Sequence, residues 1–411
     1  MILKHLILTI LLGSFLNQVS AGLIDKIGGN FSLKKQSWQE ELNPKSKKLI
    51  LESLNRLDST EIVDIHMHVV GNGSSGSGAW INPEMTDWLS FKKNLQYKVY
   101  KSASGVTEDS LLDQQAFERL SYLIQNHSYG GRYFIMAFDS YYHKNGEIDL
   151  HKTEFYIPNN YVWKLAQTNP KMEAIVSIHP YRKDAIQEVQ KWGKKGVRFI
   201  KWLPNAMGMD AADSNLIPFY QEVKKHNMTI LTHVGEEKAV ESEDDQKLGN
   251  PLRFRLPLNM GVKVIMAHCA SLGEDTDFDH PDLIERSSFE LFERMMDNPK
   301  YNGILFGDIS AIMLSNRLGK PLLTVLNRTD WHRRLIQGSD YPIPAVNILV
   351  RLSPLHKQGF ITQDEKEALE ELYKVNPLLF DLVLKTFLKH PQTGQKFSND
   401  VFYLPKEMIR K

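Results

Sequence analysis

The sequence predicts an α/β architecture: a closed (β/α)8 TIM barrel with helical N- and C-terminal extensions. Three observations point to it. Short apolar runs rich in β-branched residues recur along the 411-residue chain, and each ends on a polar or ionisable side chain. From the second run onward these ends lie 22 to 40 residues apart, room for a loop, a helix and the next strand. With the first run there are eight of them. Eight alternating strand–helix units argue for a parallel sheet closed on itself, with functional groups gathered at the C-terminal strand ends.

The first run, 61–68, carries Ile62, Val63 and Ile65 and closes on Asp64-Ile65-His66-Met67-His68. Side chains alternate along a strand, so His66 and His68 share one face, roughly 6–7 Å apart. Two imidazoles at that spacing can grip one divalent ion. Later runs lead to Asp139, His179, Lys201, His233, His268, Asp308 and Asp340. Helical patterns fill the intervals, as at 184–195 and 216–226. The interval from His68 to Asp139 is about twice the others. It holds a Gly/Ser-rich segment, 71–78, and an aromatic stretch with Trp80, Trp88, Phe91, Tyr97 and Tyr100. Such a segment is either the hinge of a lid or a plain solvent loop. Toward the C-terminus, Thr362-x-x-Glu365 is a capping box opening a helix that runs toward Tyr373.

Residues 1–21 read as a signal peptide. Lys4 and His5 precede the apolar run 6–12, and Val19-Ser20-Ala21 is a small-residue cleavage site. The run is too short to span a bilayer, so an exported protein, periplasmic or secreted, with no stable membrane anchor is expected. The organisation expected is a 22–60 N-terminal extension, a 61–345 barrel and a 346–411 C-terminal helical extension packed on it. Lys and Arg number 50 against 49 Asp and Glu, a balance that excludes a nucleic-acid binder. Cys269 is the single cysteine, so no intrachain disulfide forms. Export without disulfides suits a bacterial envelope better than an animal secretory route. Nothing in the sequence fixes an oligomeric state.

The motifs Asp64-Ile65-His66-Met67-His68, Ile200-Lys201-Trp202-Leu203-Pro204, Thr232-His233-Val234-Gly235, Ala267-His268-Cys269-Ala270 and Gly338-Ser339-Asp340-Tyr341-Pro342 follow one another in barrel order. In that order the chain, over roughly 61–380, resembles the amidohydrolase superfamily of metal-dependent hydrolases. It is most similar to the amidohydrolase-related branch, which includes aminocarboxymuconate-semialdehyde decarboxylase. The resemblance implies metal ligands His66 and His68 from the first strand, His233 from the fifth and Asp340 from the eighth. Three neutral imidazoles and one carboxylate suit Zn²⁺ or another divalent metal. Such an ion lowers the pKa of bound water to about 7. Asp340 would accept that water's proton and pass it to the leaving group, and His268 would polarise the scissile group or bind a second metal.

Lys201 decides between one metal and two. Alternation puts it on Phe199's face, pointing into the barrel mouth, where an unpaired ammonium is costly. Carboxylation, as in binuclear superfamily members, would make a second site of Lys201, His233 and His268. A salt bridge to Asp308 or to a substrate carboxylate is the other solution, and one metal is the preferred reading. Asp308 holds a histidine ligand's second nitrogen, pairs with Lys201, or is a plain strand end. Arg182, in His179-Pro180-Tyr181-Arg182, would anchor an acidic small-molecule substrate through its planar fork. Cys269 turns away from the centre, Trp202 packs in the core, and the acidic run 236–245 reads as a solvated loop on the active face.

The expected function is metal-dependent hydrolysis of a C–N or C–O bond (amide, cyclic amide, ester or lactone) in a small organic substrate. Two alternatives stand beside it: non-oxidative decarboxylation of an aromatic or unsaturated acid, and non-catalytic metal or solute binding.

Overall fold

A computed structural model describes residues 27–28, 42–126, 130–240 and 242–409. The signal peptide expected at 1–21 lies outside the described residues. Eight strands form the barrel: β1 (Val63–His68), β2 (Arg132–Met136), β3 (Met172–Ser177), β4 (Phe199–Trp202), β5 (Thr229–Thr232), β6 (Lys263–Met266), β7 (Leu305–Asp308) and β8 (Leu335–Ile336). Each pairs in parallel with the next in chain order. The β8–β1 seam closes just past the short last strand. Ile65 N donates to Gln337 O (3.0 Å), Asp340 N to His66 O (2.7 Å) and His68 N to Tyr341 O (2.8 Å).

The main helices are α1 (Pro44–Arg56), α2 (Phe91–Ala103), α3 (Leu112–Gln125), α4 (Asn159–Ala166), α5 (Ala185–Lys194), α6 (Ile217–Lys225), α7 (Ser288–Met296), α8 (Lys320–Asn327), α9 (Gln363–Val375) and α10 (Pro377–Phe387). Two apolar layers result. Val63, Ile65, Phe134, Phe199, Leu231 and Phe306 fill the barrel interior, while Met67, Trp202, Cys269 and the helices' inner faces form the outer layer. Trp202 packs as expected, stacked on Phe219 and donating from Nε1 to Ile178 O (2.8 Å).

One irregularity decides where the histidines go. Val63 and Ile65 face the interior, so strict alternation would turn His66 and His68 outward with Asp64. The β1–β2 register shifts between Asp64 and Met67. This bulge restarts the alternation one residue later. Met67 then joins the outer layer, and both imidazoles face in.

The C-terminal extension does more than wrap the barrel. The expected capping box is present at Thr362 and Glu365, opening α9. Asn376 caps α10, all of whose residues are buried. Helix α10 buries the pair Lys385–Asp381 (2.8 Å), and Lys385 Nζ also donates to Gly338 O (2.6 Å). Leu404 and Met408 enter the interior cluster from below, beside the bridge between Ile62 and Tyr403. Among the described residues, no helix is long and apolar enough to cross a membrane.

The long β1–β2 excursion folds over the mouth. Residues Trp80–Ile81 pair antiparallel with Phe155–Tyr156, and α2 follows. The 71–78 segment is not a free hinge. Asp113, fully buried, accepts from the backbone N of Asn72, Gly73 and Ser75 and from the hydroxyls of Ser75 and Ser77. A glycine-rich chain has high freedom only where its polar groups lack partners, and here one carboxylate collects them. Asp113→Ala should therefore cost about 2–4 kcal/mol by leaving these donors unmatched. Hydrogen exchange should show faster exchange confined to 71–78. Unchanged protection there would mean the loop is held by something else.

Candidate metal centre

Of the eight expected strand-end groups, six meet at the mouth: His68, Lys201, His233, His268, Asp308 and Asp340. Asp139 and His179 do not. Asp139 accepts from His179 N (2.8 Å) and pairs with Arg182 (3.3 Å), while His179 Nε2 lies 2.8 Å from Met207 O. Arg182 is accordingly occupied. Its Nε and Nη2 hold Asp184 at 2.8 Å each, its plane lies beside Tyr142, and it is not among the residues lining the cavity. The substrate-anchoring role expected for Arg182 is corrected by this double commitment to carboxylates.

Asp308, fully buried, organises the centre. Its Oδ2 accepts from His66 Nδ1 at 2.8 Å, and its Oδ1 accepts from the backbone N of His268 and of Ser310, both at 3.0 Å. His66 therefore carries its proton on Nδ1 and turns its Nε2 lone pair into the centre. His268 is set the same way, its Nδ1 donating to Ser310 O (3.1 Å) beside Ser310 Oγ (2.8 Å). Both Nε2 atoms face Asp340, at 3.3 Å from Oδ1 for His66 and 3.9 Å from Oδ2 for His268. The two rings are stacked with centroids 5.1 Å apart. His66, His268 and Asp340 thus form a group able to hold a metal ion, each offering one atom within 4.8 Å of the others.

The remaining expected ligands sit around that group. His68 Nε2 lies 3.2 Å from Asp340 Oδ1. Lys201, 1% exposed, points inward as alternation requires and places Nζ 3.1 Å from His66 Nε2. It makes no salt bridge with Asp308, which is taken by His66. His233 is turned aside, with Nδ1 3.2 Å from Glu237 Oε2 and Nε2 3.3 Å from Glu236 O. Its ring lies between acceptor oxygens of its own loop, while the group of three side chains close enough to share an ion contains His268. Cys269 faces outward, donating to Asp308 O (3.2 Å).

The electrostatics favour ligation. Burial pushes the imidazoles of His66 and His268 well down from their usual range, reinforced at His66 by Lys201 and at His268 by Arg317. Both are neutral and available as ligands. Burial raises the Asp340 carboxyl, but His66, His68 and Lys201 outweigh it and hold the group low and ionised. Burial also lowers Lys201, against the pull of Asp340 and Asp308. Two imidazole lone pairs and a carboxylate converge here, with Lys201 Nζ against the His66 lone pair and His68 Nε2 against Asp340.

The backbone is distorted to allow this. Asp340 sits at φ +63°, and His268, Cys269 and Ala270 at +54°, +51° and +51°. For residues with a Cβ these are strained angles of the kind found at functional sites. Gly338 is needed for another reason: a Cβ there would lie 2.7 Å from that of His66.

A cavity of ≈ 320 Å³ opens from this centre. Its walls are mostly apolar, including Met85, Leu112, Phe155, Ile157, Val240 and Leu314. Tyr97 and Tyr100 of α2 also line it, and Tyr100 Oη donates to Ala239 O (2.8 Å), fastening the excursion to the loop after β5. Three participants were not singled out in the sequence. Glu237 belongs to the acidic run expected to be solvated, yet it is buried against His233. Ser310 is two residues past Asp308 on the same strand end, a spacing that could have marked it. Arg317 stands alone in the loop after β7 and carried no local signal.

No family model matches the sequence, and no curated protein matches it. Solved structures similar to it include an uncharacterized TIM-barrel protein from Bordetella bronchiseptica (14% identity, 75% of this chain and 94% of that one, TM-score 0.47). A probable 2-pyrone-4,6-dicarboxylic acid hydrolase from Acinetobacter baumannii, solved with citric acid, is 11% identical over 78% of this chain and 97% of that one (TM-score 0.42). 5-Carboxyvanillate decarboxylase from Sphingomonas paucimobilis is 9% identical over 75% and 96% (TM-score 0.39).

His179, outside the metal centre, supplies a pH test. Burial drives its imidazole down to about 3. The unfolded chain, near 6.5, takes up this proton first, so its contribution to stability is lost as pH falls from about 6.5 toward 3. His179→Gln should lose less stability than the wild type between pH 7 and 4.5 in urea titrations. Identical slopes would place the acid sensitivity elsewhere.

Proposed function

We propose that the protein is an exported metal-dependent hydrolase of the amidohydrolase type, acting on an amide, ester or lactone of a small organic molecule. The observation that carries this reading is the pair of imidazoles, each with its proton engaged elsewhere, whose Nε2 lone pairs converge on an ionised Asp340. His66, His268 and Asp340 would hold one divalent ion, zinc being the best match to two imidazoles and a carboxylate. A divalent ion at that point acts as a Lewis acid and makes water acidic enough to ionise near neutral pH. Asp340 Oδ2 is placed to accept a proton and return it to a leaving group, and His68 orients the opposite oxygen. The apolar walls keep bulk water from the reacting atoms. Lys201 beside His66, with His233 bound to Glu237, supports one ion rather than a carbamate-bridged pair. Export rests on the charged, apolar and small-residue order of residues 1–21.

Metal analysis of the purified protein should find about one equivalent per chain. His66→Ala and His268→Ala should lose metal and ester or lactone hydrolysis together, whereas His233→Ala should keep its metal. Asp308→Asn should weaken metal affinity about 10–100-fold by freeing the His66 ring. Two equivalents, or metal retained in both His66→Ala and His268→Ala, would overturn the assignment. Release of CO₂ from aromatic acids in place of hydrolysis would make the enzyme a lyase.

A further inference from the structure

Among the described residues, Arg317 is a buried guanidinium on the cavity wall with no carboxylate in ion-pair contact. It is 8% exposed and lines the cavity. Its Nη1 donates to Ser271 Oγ at 3.0 Å, its Nε is buried with no hydrogen-bond acceptor, and among the described residues it makes no ion pair. The other cations on the wall are engaged: Lys101 with Asp109 (3.0 Å), Lys238 with Glu236 (3.1 Å) and Lys201 with His66. A guanidinium buried without a carboxylate is expensive, and such groups persist where an anion completes them. Arg317 is close enough to the centre to act on the imidazoles of both His233 and His268. Most of the remaining wall is hydrocarbon and aromatic, which suits a molecule with an apolar body.

We infer that the substrate is a small monocarboxylate with an apolar body, an amide, ester or lactone whose carboxylate is held by Arg317 while its hydrocarbon part fills the chamber walled by Met85, Leu112, Phe155 and Ile157. This rests on the hydrolase reading above for the identity of the reacting bond, and on the cavity alone for the anion site. A divalent ion among His66, His268 and Asp340 would offset the carboxylates that now attract Arg317, leaving its charge freer for a ligand. The guanidinium fork matches a carboxylate with two parallel hydrogen bonds, which an ammonium cannot copy.

The test uses a matched pair of non-reacting probes, 4-phenylbutyrate and its neutral amide 4-phenylbutanamide, titrated calorimetrically into the metal-loaded full-length protein. The acid should bind about tenfold or more tighter than the amide. Arg317→Met should abolish that preference, and Arg317→Lys should keep part of it. Thermal melts of both variants check that each is folded when it is titrated. Equal affinity of the wild type for acid and amide overturns the inference and needs no variant. Preference that survives Arg317→Met assigns the carboxylate to another partner and also overturns it. The two readings fail separately. Arg317-dependent preference without hydrolysis of any panel compound by the wild type removes the hydrolase reading alone, and hydrolysis without acid preference removes this inference alone.

Discussion

A buried carboxylate with no freedom to choose its partners governs this centre. Asp308 is wholly inside the protein, and leaving it unpaired there would cost several kcal/mol. It is satisfied by the His66 ring and by the backbone N–H groups of His268 and Ser310. Those three bonds set the protonated nitrogen of one imidazole and the backbone position of the other. The lone pairs that face Asp340 follow from them. The carboxylate that touches no substrate thereby decides what the ligand atoms can do.

The scaffold around it converts remote parts of the chain into precision at one point. The β8–β1 seam carries Asp340 onto His66 through a backbone bond of 2.7 Å, and the absence of a side chain at Gly338 permits the approach. Behind that loop, Lys385 of the buried helix α10 holds Gly338 O, its own charge balanced by Asp381. Strained φ values at Asp340 and His268 persist because packing and these bonds over-determine them. The C-terminal extension is in this sense part of the site's support, and through Leu404 and Met408 also of the barrel's floor.

The β1–β2 excursion makes the mouth a chamber. Asp113 gathers the Gly/Ser segment into a fixed turn, and Tyr100 ties α2 to the loop that carries Glu237. Enclosure by apolar side chains strengthens every charge interaction inside. The same enclosure gives the Arg317 guanidinium on the chamber wall more electrostatic weight than it would have in water.

The barrel was legible in the sequence because apolar runs and their polar ends recur at a spacing that strand–helix units dictate. The inward aim of Lys201 and the outward aim of Trp202 followed from alternation alone, whereas His268 and Cys269 owe theirs to the positive-φ stretch past the end of their strand. His66 and His68 also reach the mouth as read, but for a reason that local pattern does not contain, a register shift against β2. How His233 and His268 are held was beyond the sequence, since both close strand-like runs. Glu237 meets one ring and Ser310 the other, contacts that the strand pattern does not contain. Arg182 looked like an anion anchor until Asp139 closed on it, and Arg317 carried no signal at all. Periodicity along the chain determined the fold and the residue types at its open rim. Which atoms face one another, and which charges remain unpaired, depended on distances across the barrel that only the tertiary structure supplies.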